Sequence, residues 1–423
     1  MQHHTPIRTP LVPGAFANLK GRGARSNVES RYAGAVHEVD PEFLEHEHAC
    51  RLASLDVVSL DVVSLDVVSL DVVSLDVVSL DVVSLDVVSL DASGNSASPG
   101  TAETPSTRLR TSVSIEHARS IISRNQSPDI PFDRSVNPYR GCEHGCVYCY
   151  ARPTHAYLGL SPGVDFETRL FAKTNAAVQL DAELRKPGYS AGVLALGANT
   201  DPYQPIEEQH RITRAVLETL AAFRHPVTIT TKSALVLRDL DILQDMARQN
   251  LVRVQFSVAT LDRGIARTLE PRASTPARRL DAMRALAQAG VPAGVIVAPL
   301  IPALTDPDLE NVLEAAAAAG AVHASFSVLR LPLEVRDLFK EWLREFAPLR
   351  AERIMSLVRQ MRDGADYRSD FASRMTGTGI YARLLQQRFT LACRRLHLTH
   401  ERETLDTTRF CVPAPASAQG SLF

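Results

Sequence analysis

The sequence predicts an α/β fold: a partial (β/α)6 TIM-like barrel with C-terminal helices and a disordered, repeat-containing N-terminal extension. Three observations lead there. From about residue 111, short apolar β-branched runs alternate with segments of helical spacing, the pattern of a parallel sheet with helices outside. Counting an initial strand that ends near Asn137, there are six such β/α units, fewer than a closed eight-fold barrel needs. Beyond residue 330 the spacing is helical to about 396.

Taken in order, residues 1–53 form an N-terminal extension, polar and rich in Gly, Pro and Arg. Residues 54–91 hold seven perfect copies of SLDVV and a partial eighth. A period of five fits no regular element. On a helix each copy turns its apolar residues by about 140°, and on a strand an odd period changes face at every copy. The repeat therefore reads as a non-catalytic insert, and residues 92–110 as a low-complexity linker. The barrel spans 111–330. Its strands are placed at 191–197, 226–231, 251–259, 291–298 and 321–329, and its helices at about 207–223, 238–249, 275–289 and 307–319. Gly290 and Gly320 stand where helices end. A helical region at 331–410 is broken at Gly377 and Gly379, and its charge-alternating stretch Glu334–Arg359 reads as a solvated face. Residues 411–423 are a tail.

Bulk properties exclude several classes. The chain of 423 residues is 45% hydrophobic and carries a net charge of −2, so it can build a large core and is no general binder of nucleic acid. An excess of Lys and Arg over Asp and Glu across 330–409 fits an anionic partner or a solvated helical surface equally well. Six cysteines in such a length do not make a disulfide framework. No apolar run reaches membrane-spanning length, and the N-terminus lacks the apolar core of a signal peptide. The expectation is a cytoplasmic protein with reduced thiols.

Cys142, Cys146 and Cys149 crowd one short stretch, NPYRGCEHGCVYCYARPTHAY. Read from the residues alone, C-x3-C-x2-C leaves three chemistries open. One is structural zinc, with His144 or His155 as the fourth ligand. Another is dithiol redox chemistry at Cys146 and Cys149. The third is a [4Fe–4S] cluster whose fourth iron is kept for a ligand that arrives with the substrate.

With an aromatic residue, Tyr148, before the last cysteine, and six β/α units around it, the loop resembles that of the radical S-adenosylmethionine (SAM) superfamily. The stretches GANTDPYQPIE (197–207), TTK (230–232), FSVAT (256–260) and LEPRAS…RRLDAMRALAQAGV (269–291) are similar to its spore photoproduct lyase-like branch. KGRGARSN (20–27) resembles an N-terminal feature of an uncharacterised bacterial subgroup. The resemblance implies an enzyme in which Cys142, Cys146 and Cys149 ligate a [4Fe–4S] cluster. SAM would chelate the open iron and be cleaved reductively to a 5′-deoxyadenosyl radical that abstracts hydrogen from substrate. It further implies that Tyr148 packs at the adenine, Thr200 and Asp201 meet the amino end of SAM, and Lys232 meets its carboxylate. Ser257 and Arg272 are further SAM contacts. Gly141 and Gly145 let the loop wrap, and His144 and His155 flank it.

A reductant such as flavodoxin or ferredoxin is the implied partner, with no membrane involved. Nucleic acid, protein or peptide, and small metabolites all stand as substrate classes. The chain departs from the lyase at one place: where that enzyme carries a hydrogen-donating cysteine, this sequence has Ala198, and no cysteine lies between Cys149 and Cys393. Because the repeat has no register with which to dock on a barrel, deleting residues 54–91 is expected to leave iron content and SAM cleavage unchanged and to raise solubility. Half-occupied iron sites in soluble deletion protein would refute this.

Overall fold

Six parallel strands lie side by side in chain order in the computed structural model, which describes residues 21–32, 109–399 and 404–414. The SLDVV repeat, residues 92–108 of the linker and the tail from 415 lie outside the described residues. In chain order the elements begin with β1 (Ser112–Glu116), β2 (Ile122–Arg124), β3 (Arg134–Val136), β4 (Tyr139–Arg140), α1 (Asp165–Thr168), β5 (Arg169–Lys173), α2 (Ala176–Leu184) and β6 (Leu194–Leu196). Next come α3 (Glu207–His210), α4 (Ile212–Ala222), β7 (Val227–Thr231), α5 (Leu240–Ala247), β8 (Val252–Ser257), α6 (Arg263–Leu269), α7 (Pro276–Gln288), β9 (Ala293–Leu300) and α8 (Leu309–Ala318). The described chain ends with β10 (His323–Val328), α9 (Val335–Phe346), α10 (Ala351–Gln360) and α11 (Gly379–Arg395).

The main sheet runs β10-β9-β8-β7-β6-β3-β2, parallel except for the antiparallel pair β2–β3. Two different strands, β10 and β2, end it, so hydrogen bonding does not close a barrel. This is the open (β/α)6 architecture that the alternation predicts. The strands are apolar because both faces are covered: Val227, Ile229, Val252, Val254, Phe256, Val295 and Val297 are all fully buried. Helix starts follow the side chains available. Asp262 accepts from the amides of Gly264 and Ile265 at the head of α6, and Thr275 precedes Pro276 at the head of α7.

Three details differ from the sequence reading. The helix predicted at 207–223 is two helices, because Arg211 turns left-handed (φ 52°). The break frees the buried Glu207 carboxylate to accept from the Thr213 amide and from Tyr139 and Arg238. A second, three-stranded sheet, β1-β5-β4, was not foreseen. Its β4 feeds the cysteine loop. Finally, α9 and α10 are not simply solvated. Val335, Leu338, Phe339, Trp342, Ile354 and Val358 form an apolar face whose cluster includes Cys146, Val147 and Tyr148.

Away from that loop, His225 is fully buried against Phe410. Its Nδ1–H donates to the Pro226 carbonyl (3.0 Å), which leaves Nε2 to accept from the Tyr189 hydroxyl (2.8 Å). Burial, the largest cause, depresses its pKa from 6.5 to about 4. The unfolded chain therefore binds the proton first as pH falls. Stability should be level above pH 6.5 and should drop by up to about 3 kcal/mol on the way to pH 4. Buried His155, also depressed to about 4 by burial, adds in the same direction. In urea titrations across this range His225→Asn should flatten the slope. An unaltered slope would place the titration elsewhere.

Candidate active site

The cysteine loop leaves β4 at Gly141 and is held by its own backbone. The Cys142 amide donates to Phe166 O (2.9 Å), Gly145 N to Cys142 O (3.3 Å), Val147 N to Leu269 O (3.1 Å) and Cys149 N to Cys146 O (3.2 Å). Side chains complete the cage. Gln204, fully buried, accepts from the Glu143 amide (2.8 Å) and donates to Gly141 O (3.2 Å). Arg152, also fully buried, donates to the carbonyls of Cys146 (2.9 Å), Gly145 (3.2 Å), Pro162 (3.1 Å) and Gly163 (2.8 Å), and to Glu167 Oε1 (2.5 Å). Neither Gln204 nor Arg152 was singled out from sequence. The signal was present in principle: a Gln in the polar run after a strand end, and an Arg three residues past the last cysteine.

Cys142 and Cys146 are buried and Cys149 half-buried, all as free thiols. Burial pushes the Cys142 thiol up, and the neighbouring Asp201, Cys146 and Cys149 push it further. Burial also takes Cys146 to about 12, against the pull of Lys232. Without a metal, Cys142 and Cys146 keep their protons; metal coordination would displace them. Among the described residues, no three His, Cys, Asp or Glu side chains converge on one point as a single ion requires. A cubane puts each thiolate on a different iron and so needs them spread. The donor set, three thiols on one enclosed loop with no fourth beside them, fits such a cluster. His155 is engaged elsewhere, its Nε2 against Arg169 O (2.9 Å) and its ring edge-on to Phe166.

The strand ends bring several of the predicted residues to this loop. Asp201 follows β6. It accepts from Thr231 Oγ1 (2.7 Å), the Lys232 amide (2.7 Å) and the Tyr203 amide (2.9 Å), and faces His144 Nδ1 at 3.3 Å. Burial would raise its pKa, but His144 and these donors hold it at about 2. Lys232 follows β7. Its Nζ stands 5.9 Å from the Tyr148 ring centroid and makes no hydrogen bond among the described residues. Burial works against its charge, yet Cys146, Glu270 and Asp201 raise its pKa. Tyr148 is buried and its hydroxyl donates to Glu270, which also pairs with buried Arg279. Arg279 in turn donates to Ser257 O (2.7 Å) and Ser274 O (2.8 Å).

The other predicted residues are occupied by protein. The Thr200 hydroxyl donates to Tyr139 O (3.0 Å) and Ser257 Oγ to Ala298 O (3.0 Å). Arg272 lies on the outer side of the loop, paired with Glu143 at 2.7 Å. It lines a polar cleft of about 450 Å³ with His144, Arg238 and Arg278, a cleft that none of the three cysteines enters. At the open end, Tyr150 is 45% exposed, its hydroxyl donates to Ala198 O, and Arg330 stacks 4.7 Å from its centroid.

The sequence pattern of the radical SAM superfamily matches residues 136–316. The chain is 41% identical over 233 residues to the uncharacterized protein Rv2578c of Mycobacterium tuberculosis, covering 55% of this chain and 68% of that one. It is 33% identical over 169 residues to the uncharacterized protein ORF301 of Acidianus two-tailed virus, covering 38% and 54%. Among solved structures, a spore photoproduct lyase complexed with dinucleoside spore photoproduct aligns with TM-score 0.47 at 16% identity, over 67% of this chain and 79% of that one.

The Glu270–Arg279 pair is buried and joins the loop to the ends of β8 and β9. Truncating either partner strands the other's charge, so Glu270→Ala and Arg279→Ala should each cost roughly 3–5 kcal/mol. The double variant should cost clearly less than their sum. Additive costs in urea denaturation would mean the two side chains act independently.

Proposed function

The chain belongs to the radical SAM superfamily, and from that premise we propose that it is an enzyme that carries a [4Fe–4S] cluster on Cys142, Cys146 and Cys149 and binds SAM at the iron they leave free. One observation carries the reading: three free thiols on one caged loop, with the ammonium of Lys232 by the ring of Tyr148 on that loop and without a hydrogen bond among the described residues. When bound, the cluster and SAM supply one-electron chemistry that produces a hydrogen-abstracting 5′-deoxyadenosyl radical.

The protein's part is placement and enclosure. Lys232 offers its charge to the SAM carboxylate, and the Tyr148 ring offers an apolar wall. Asp201 has both oxygens taken, so it acts by fixing His144 and the end of β7. Thr200 and Ser257 hold backbone carbonyls at the mouth, and Arg272 braces the loop through Glu143. Electrons come from a reductant of the flavodoxin or ferredoxin type, in a reducing, cytoplasmic setting. No helix among the described residues is long and apolar enough to cross a membrane.

Alanine at 142, 146 or 149 should each abolish stable iron binding and SAM cleavage, because two thiolates do not hold a cubane. Alanine at Cys50, Cys393 or Cys411 should leave both intact. Iron and sulfide analysis of anaerobically prepared protein decides it. A full iron complement in a triad variant, or a colourless protein that carries zinc, would overturn the reading. With a spore-photoproduct dinucleotide, reduced protein should release 5′-deoxyadenosine without restoring thymines, since the alanine methyl at position 198 is a poor hydrogen donor. Efficient thymine recovery would show that another group donates.

A further inference from the structure

The polar segment at residues 21–32 has no role in the reading above, yet it is built into the back of the cysteine loop. Ala24 is fully buried, and it joins the apolar cluster of Cys146, Val147, Tyr148 and α9. The amides of Gly23 and Ala24 donate to Glu167 Oε2 (3.0 Å) and Oε1 (2.7 Å). Arg22 donates to the Glu167 carbonyl (2.9 Å), to Leu109 O (2.8 Å) and to Thr111 Oγ1 (2.9 Å). Thr111 in turn donates to Glu143 of the loop (2.5 Å). Farther along, Ser26 donates to Glu341 of α9 (2.7 Å), Asn27 and Asp165 exchange two hydrogen bonds (3.0 and 3.1 Å), and the Val164 amide donates to Ser26 O (3.3 Å).

Two close approaches define the fit. A Cβ on Gly23 would lie 1.7 Å from Gly145 O, and a Cβ on Gly163 would lie 2.1 Å from Ser26 O. Only glycine allows backbone this near to backbone. Glu167, fully buried, is the joint. Its carboxylate takes the two segment amides on one side and the Arg152 guanidinium, which holds the loop carbonyls, on the other. A buried carboxylate needs such a set of donors, and here they come from two separate stretches of chain, the strap and the segment after the cysteines.

We infer that residues 21–32 are a strap that positions the cysteine loop from behind, and that Glu167 is the positioning residue through which it does so. The strap holds Cys142 and Cys146 in a ligand-ready arrangement before any metal arrives. The inference rests on the chain's own geometry, so it stands or falls separately from the identity of the cofactor.

The test uses full-length, metal-free protein and follows alkylation of individual cysteines by N-ethylmaleimide, read by mass spectrometry. Gly23→Val pushes the strap off from its own side, Gly163→Ala pushes it off from the opposite side, and Glu167→Gln removes the shared acceptor. Each should speed alkylation of Cys142 and Cys146 by about tenfold or more, as expected when hydrogen bonds to a buried charge are lost. Cys393, buried in the barrel core, is the internal reference and should not change. Combining Gly23→Val with Glu167→Gln should add little to either, because strap and joint act as one unit. In iron-loaded protein the same variants should lose metal to a chelator faster. Unchanged labelling of Cys142 and Cys146 would overturn the inference. So would a parallel rise at Cys393, which would mean general loosening, or fully multiplicative effects in the double variant.

Discussion

A loop that wraps three sulfur ligands turns its own carbonyls inward, and those carbonyls must find donors. Arg152 supplies most of them. Its guanidinium reaches the carbonyls of Gly145, Cys146, Pro162 and Gly163 from a fully buried position. A charge so far from water has to be balanced, and Glu167 balances it. The loop's shape thus depends on one buried ion pair, and the strap, α1 and the loop all meet there. Arg suits the position better than Lys would, since its planar fork can serve several acceptors at once and stays charged.

Around this pair the molecule has two apolar clusters with different duties. The larger one fills the barrel between strands and outer helices. The smaller one joins Cys146, Val147 and Tyr148 to the strap and to α9 and α10. Between them runs a polar chain from Tyr148 through Glu270 and Arg279 to Ser257 and on to Ala298. It ties the loop to the ends of β8 and β9, while Asp201 ties it to β6 and β7. Few of these polar groups retain freedom, which suits a site that must exclude stray hydrogen donors.

The barrel was legible because its strands are covered on both faces and announce themselves as apolar runs; each predicted strand has its counterpart within a few residues. The small sheet was not, because β4 has only two residues and β1, SVSIE, keeps most of its side chains at the surface. The break at Arg211 escaped notice since helical periodicity continues across a single left-handed residue. The site was read from its sulfurs and strand ends, and the residues that brace it were missed. Arg152, Glu167 and Gln204 serve backbone atoms, and no side-chain spacing records that service. The strap hid for the same reason: GRGARSN has the composition of a tail, and its docking runs through main-chain amides.

The strap also changes what the rest of the N-terminal region means physically. The chain is pinned at Tyr32, which stacks on Tyr157, and pinned again at Leu109, whose carbonyl takes the Arg22 guanidinium. For any connection between two such anchors, the entropy of closing a loop is one term of the folding free energy. That term grows with the logarithm of length, by about 0.6 kcal/mol for each doubling. A tandem tract that gains or loses a few units there changes this closure term by well under that amount. As far as loop closure goes, the two anchors therefore set where the connection begins and ends and leave its length free to vary.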